Sequence, residues 1–80
     1  MDVKLSPQVI KYLSKCDPII KRRIAKALHG LSQDPPQGDI KMLSGKDGFR
    51  LRIGKYRVLF DIGEDDIIVY EIGLRGQIYK

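Results

Sequence analysis

The chain is expected to fold as an α+β domain: a short N-terminal strand, a helical hairpin, then a three-stranded antiparallel meander, with the sheet packed on the two helices. Three observations predict it. Two proline-bearing helix starts, "SP" at 6–7 and "DP" at 17–18, open segments whose apolar residues recur at helical spacing. From Phe49 onward the apolar period changes to two. Two turn signals, Gly54-Lys55 and "GEDD" at 63–66, divide that region into three strands.

The elements follow in order. "DVKL", 2–5, alternates, with Val3 and Leu5 on one side. Ser6 then suits an N-cap and Pro7 the first helical position, and Val9, Ile10 and Leu13 form a narrow apolar stripe ending near Lys15. Asp17-Pro18 repeats the start signal, and Ile20, Ile24, Leu28 and Leu31 lie on one face of a second helix. "QDPPQGD", 33–39, reads as a loop. Strands are expected over Phe49–Ile53, Tyr56–Ile62 and Ile67–Ile72, followed by the closing "GLRGQIYK".

Eighty residues allow one domain, 1–80, with a single core. An apolar fraction of 42% beside 31% charged residues argues against disorder. No apolar run reaches the ~20 residues of a membrane span, and "MDVKLSPQV" lacks a signal-peptide core, so no membrane contact and a cytoplasmic location are expected. Cys16 is the sole cysteine and suits a half-buried structural thiol. With His29 as the sole histidine, a zinc site of the usual kind is not available, and neither metal nor cofactor is expected. His29 instead suits a helix C-terminus.

The net charge is +5, which favours anionic partners. Its distribution is uneven. Lys41, Lys46, Arg50, Arg52, Lys55 and Arg57 stand against Asp47 alone, whereas residues 61–71 carry Asp61, Glu64, Asp65, Asp66 and Glu71 without a base. With Gly54-Lys55 as a two-residue turn, Ile53 pairs with Tyr56, Arg52 with Arg57, Leu51 with Val58 and Arg50 with Leu59. Arg50, Arg52 and Arg57 then share one exposed sheet face, and Phe49, Leu51, Ile53, Tyr56, Val58, Phe60 and Ile62 share the core face. An arginine facing an arginine across two strands is unfavourable by up to ~1 kcal/mol. The cluster therefore reads as a site for a multiply anionic ligand, because the guanidinium fork fits phosphate. The other reading is a solvated strand face neutralised by Asp61 and Glu71. Arg75 can approach the same face. Tyr79 adds a ring for base stacking and a hydroxyl for proton transfer, ingredients of single-stranded RNA recognition, or is a partly buried terminal aromatic. Lys21, Arg22, Arg23 and Lys26 form a second basic cluster, either a solvated helix face or a further RNA contact.

The segments "LSGKDGFRLRIGKYRVLFDI", 43–62, and "IVYEIGLRGQIYK", 68–80, resemble toxins of the RelE/ParE superfamily from type II toxin–antitoxin pairs. The resemblance extends over essentially the whole chain, and within the superfamily the RelE branch is favoured. It implies a ribosome-dependent mRNA endoribonuclease whose partners are a cognate antitoxin, the ribosome and mRNA. By motif position it implies catalytic roles for Arg50, Arg52, Arg57, Arg75 and Tyr79, with Lys41, Lys46, Lys55, Lys21, Arg22, Arg23 and Lys26 as RNA or ribosome contacts. The implied reaction is attack of a ribose 2′-OH on the adjacent phosphate without metal. Leu74 stands where many relatives have histidine, and neither Asp61 nor Glu71 matches a catalytic position of the family. The alternatives are a ParE-like DNA gyrase inhibitor, or a catalytically inactive module that binds an antitoxin.

Overall fold

Ser6 and Asp17 start the helices as their residue types require. Ser6 Oγ accepts the Val9 N–H at 3.3 Å, and Asp17 Oδ1 accepts those of Ile19 and Ile20 at 3.0 Å. Each cap precedes a proline, whose missing N–H costs nothing in a first turn. The computed structural model describes residues 1–78. Along it run β1 (Asp2–Leu5), α1 (Pro7–Lys15), α2 (Pro18–Leu31), β2 (Ile40–Met42), β3 (Phe49–Ile53), β4 (Tyr56–Ile62), β5 (Asp66–Leu74) and α3 (Arg75–Ile78).

The strands make one sheet in the order β1-β5-β4-β3-β2. β1 runs parallel to β5, and every other pair is antiparallel. The architecture is the expected α+β arrangement, and the β3–β4 register matches all four expected pairs, Arg52 opposite Arg57 included, with Phe49 opposite Phe60 as a fifth. Two elements extend it. β2 adds a fourth strand to the meander, and α3 closes the described chain. Where β1 ends, a side chain substitutes for a strand. Gln8 Nε2 donates to the Ile72 carbonyl and Gln8 Oε1 accepts the Ile72 N–H, both at 3.1 Å, so the β5 backbone stays paired beyond Leu5.

One sheet face is covered by the helices. Val9, Leu13, Ile24, Leu28 and Leu31 meet Leu51, Ile53, Val58, Phe60, Ile67, Val69 and Ile72 in a single cluster. Strict alternation would place Val69 and Ile72 on opposite faces. Both are buried because the β4–β5 register steps from Leu59↔Glu71 to Phe60↔Val69, leaving Tyr70 as the extra residue of a bulge. Two apolar residues depart from expectation. Ile10 lies about 100° around the helix from Val9 and is exposed, and Ile62 at the end of β4 is exposed as well. Cys16 is half-buried, its Sγ 3.4 Å from the Tyr12 carbonyl. Among the described residues no helix is long and apolar enough to cross a membrane.

A four-arginine pocket as the candidate active site

The face opposite the helices carries the arginines. Alternation along β3 puts Arg50 and Arg52 there, and the hairpin register brings Arg57 directly opposite Arg52. Across β4 the partner of Arg57 is Gly73, and α3 lies over that glycine: a Cβ there would be 3.2 Å from Ile78 Cδ1. α3 begins with Arg75. Arg50, Arg52, Arg57 and Arg75 together line one cavity of about 230 Å³. The expectation of a shared face is met, but that of an exposed face is not. Arg52 and Arg75 are exposed, Arg50 is half-buried, and Arg57 is only 7% exposed.

Like charges this close need partners, and the structure supplies them locally. Arg52 Nε donates to Asp39 Oδ2 at 2.6 Å, while the Arg52 backbone N–H donates to the Asp39 carbonyl. The Asp39 bond uses Nε, so neither terminal nitrogen of Arg52 is taken by it. Arg57 turns toward the hairpin tip, where Nη1 donates to the Gly54 carbonyl at 2.7 Å and the Tyr56 carbonyl at 2.9 Å. The carbonyl between them, of Lys55, accepts the backbone N–H of Arg75 at 3.0 Å. Three consecutive turn carbonyls thus hold two of the four arginines in place. The turn itself needs Gly54, whose φ is 58° and where a Cβ would collide with the Arg23 guanidinium. Asp61 and Glu71, the neutralising groups anticipated by the solvated-face reading, form no ion pair with an arginine among the described residues.

The remaining candidates separate into three groups. Lys41 pairs with Arg50 across β2–β3 and, with Lys46, lines a second cavity that also includes Arg50. Arg23 and Lys26 line a groove running past Asp39, Leu51 and Ile53 to Arg52. Lys21 and Arg22 are exposed on α2 and line neither of these, and Lys55 sits at the turn with Nζ 6.0 Å from the Tyr56 ring centroid. Tyr79 lies outside the described residues. Among the described residues no three His, Cys, Asp or Glu side chains gather as a metal site.

Two further residues carried no signal in the sequence. Asp39 ends a proline-rich loop and looks like ordinary loop polarity until β2 forms beside Arg52. Tyr70 is the bulge residue. Its hydroxyl and Asp61 Oδ1 both converge on Gly48, where a Cβ would be 3.2 Å from the one and 3.0 Å from the other. Burial, then the charges of Asp61 and Glu71, raise its phenol above the ordinary tyrosine value.

A family model described as the ParE toxin of the type II toxin–antitoxin system parDE matches residues 3–79. The chain belongs to that family, within the RelE/ParE toxin superfamily. Its RelE/ParE relatives include a candidate toxin, RelE1, of Methanocaldococcus jannaschii, 33% identical over 85 residues that span 99% of this chain and 94% of the relative. In the archaeal RelE–RelB complex from Pyrococcus horikoshii, a chain 27% identical superposes with a TM-score of 0.79, covering 95% of this chain and 96% of that one. The RelB–RelE antitoxin–toxin complex from Methanococcus jannaschii contains a chain with the same fold, at 24% identity and a TM-score of 0.75, covering 95% of this chain and 94% of that one. The superfamily resemblance noted in the sequence is therefore correct, and these relatives place the toxin in its archaeal RelE branch.

Proposed function

We propose that this toxin is an endoribonuclease that cleaves mRNA on the ribosome. The observation that carries the reading is the convergence of Arg50, Arg52, Arg57 and Arg75 on one cavity. In the proposed step, the 2′-oxygen of a ribose attacks the adjacent phosphorus and loses its proton. The bond from phosphorus to the 5′-oxygen breaks, leaving a 2′,3′-cyclic phosphate, and the departing oxygen takes up a proton. Negative charge grows on the non-bridging oxygens as the new bond forms, and fixed guanidinium groups stabilise that growth most when they need not move. Arg52 and Arg75 are the accessible groups of the pocket. Arg57, held by the turn, forms its floor. Tyr79 either stacks on a base or transfers the proton. The basic residues Lys41, Lys46, Lys55, Arg23 and Lys26, with Lys21 and Arg22 farther off, contact RNA or ribosome. No metal takes part in the proposal.

The partner we propose is a cognate antitoxin with an acidic or amphipathic segment that covers this face. Relatives assembled as RelE–RelB complexes and a net charge of +5 support it. A second reading, inhibition of DNA gyrase, is favoured by the ParE description of the matching family.

Single-turnover cleavage on programmed ribosomes, measured beside ribosome binding, decides between them. Arg75→Ala should lower cleavage by about 10²–10³ while ribosome binding changes far less. Tyr79→Phe stays active if the ring stacks and fails if the hydroxyl transfers a proton. Wild-type cleavage rates in both Arg57→Ala and Arg75→Ala remove the pocket as the active site. Absence of cleavage by the wild type, with inhibition of gyrase supercoiling, establishes the second reading.

A further inference from the structure

A second cavity, about 240 Å³, opens beside the first and is lined by Lys41, Met42, Leu43, Ser44, Lys46 and Arg50. Arg50 is common to both cavities. It lies between them because Lys41 is its cross-strand partner on one side, while Arg52 follows two residues along the same face on the other. Among the described residues no carboxylate lines either cavity, although Asp47 belongs to the same loop as Ser44 and Lys46. Arg50 also brings donors that remain unused: its Nη1 is buried and has no hydrogen-bond partner among the described residues. A guanidinium presents five N–H donors in a planar fork, so its two edges can serve acceptors on different sides.

From this juxtaposition we infer that Lys41, Ser44 and Lys46 form, with Arg50, a second phosphate subsite. It takes the phosphate next to the one held in the four-arginine pocket. The inference rests on the proposed reading of that pocket and adds how the RNA strand is held there: at two successive phosphates. Arg50, which lines both cavities, joins the two phosphate positions. The two lysines act as point charges and Ser44 as a hydroxyl donor, whereas Met42 and Leu43 give an apolar wall for the intervening sugar. Such contacts hold the strand in register without reading its sequence. The chemistry stays in the first cavity, and the second determines which bond is presented there.

The test uses non-cleavable 2′-O-methyl oligonucleotides of two to six nucleotides, titrated into the full chain at several salt concentrations. Wild type should gain affinity at the length that supplies a second internal phosphate, and at that length the amide signals of residues 41–46 should shift. In the Lys41→Gln/Lys46→Gln double variant that gain should be lost. For the longer oligonucleotides the slope of log affinity against log salt should fall in magnitude by about 0.7, the value for one lost single-strand phosphate. A double variant that keeps both the gain and the slope overturns the subsite, as does a wild type whose affinity is independent of length. An Arg52→Gln/Arg75→Gln variant separates this from the parent reading. If it binds the shortest oligonucleotide as tightly as wild type, the four-arginine pocket is not the phosphate site, whatever the lysine variants do. Unchanged thermal unfolding of each variant ensures that a lost gain is read as lost contact.

Discussion

The two faces of the sheet are made from the same strands and are held in order by different physics. On the helix side, Leu51, Ile53, Val58 and Phe60 are buried against α1 and α2, and no individual contact is indispensable to the register. Hydrophobic burial is non-directional, so any apolar side chain of suitable volume supports the same layer. On the other side, Arg50, Arg52 and Arg57 repel one another, and each needs an oriented partner. Asp39 serves Arg52 and the turn carbonyls serve Arg57, whereas among the described residues Arg50 Nη1 is buried without a partner. The difference teaches where this protein holds its stability and where it gives some up. The helix face stabilises the fold, and the arginine face holds a strained arrangement of charge that the core keeps in place.

The largest effect should come from breaking the core face. Phe60 is fully buried and stacks on Phe49 with ring centroids 5.6 Å apart. Phe60→Ala should cost about 3–5 kcal/mol in chemical denaturation, enough to unfold much of a domain this small. A loss below 1 kcal/mol would show that the layer is not the source of stability.

Next in size is a contrast within the pocket. Arg57→Ala removes a buried guanidinium and leaves the Gly54 and Tyr56 carbonyls without it, so it should cost about 1–3 kcal/mol of stability as well as activity. Arg75→Ala should cost activity alone, because its structural bond to Lys55 is made by the backbone. Thermal unfolding of the two variants side by side checks the split, and equal destabilisation would contradict it.

A smaller effect is expected at Asp39. Its ion pair with Arg52 is about half exposed on both sides, so Asp39→Asn should change stability by less than about 1 kcal/mol. Removing a negative charge beside the pocket should tighten binding of the same 2′-O-methyl oligonucleotides at low salt. The gain should fade as salt rises. Weaker binding at low salt would mean that Asp39 acts mainly by orienting Arg52.

The smallest effect concerns Tyr70. Its phenol is raised above 10.0 by burial, then by Asp61 and Glu71. The folded chain therefore holds this proton at a pH where the unfolded chain releases it. That contribution to stability is fully present below pH 10 and is lost as pH rises through the folded value. Phenolate absorbance during an alkaline titration should show late-titrating tyrosines, and Tyr70→Phe should remove one of them, leaving Tyr12, which burial also raises. An unchanged titration curve in that variant would remove the assignment.

Much of this was legible in the chain because the governing signals are local. Ser6-Pro7 and Asp17-Pro18 name their own helix starts, and Gly54-Lys55 sets a two-residue turn whose length determines the register of β3 on β4. β2 was not legible. At three residues it offers no period to recognise, and it exists because β3 presents an edge for it to pair with. The bulge at Tyr70 was hidden for a related reason: in "IIVYEIGL" nothing marks the extra residue, and only packing Val69 and Ile72 into the same core reveals it.

By itself, then, the sequence determined the α+β order, the core stripes, the shared face of Arg50, Arg52 and Arg57, and the superfamily. These depend on residue type and on spacing of a few positions, which chain geometry converts directly into direction. Tertiary structure alone decided that Arg57 is buried, that Arg75 comes to it through the Lys55 carbonyl, that Asp39 lies against Arg52, and that Arg50 stands between two cavities. Those contacts join backbone carbonyls, which look alike in every residue, to side chains brought together by strand pairing. Their partners acquire identity only when the sheet closes.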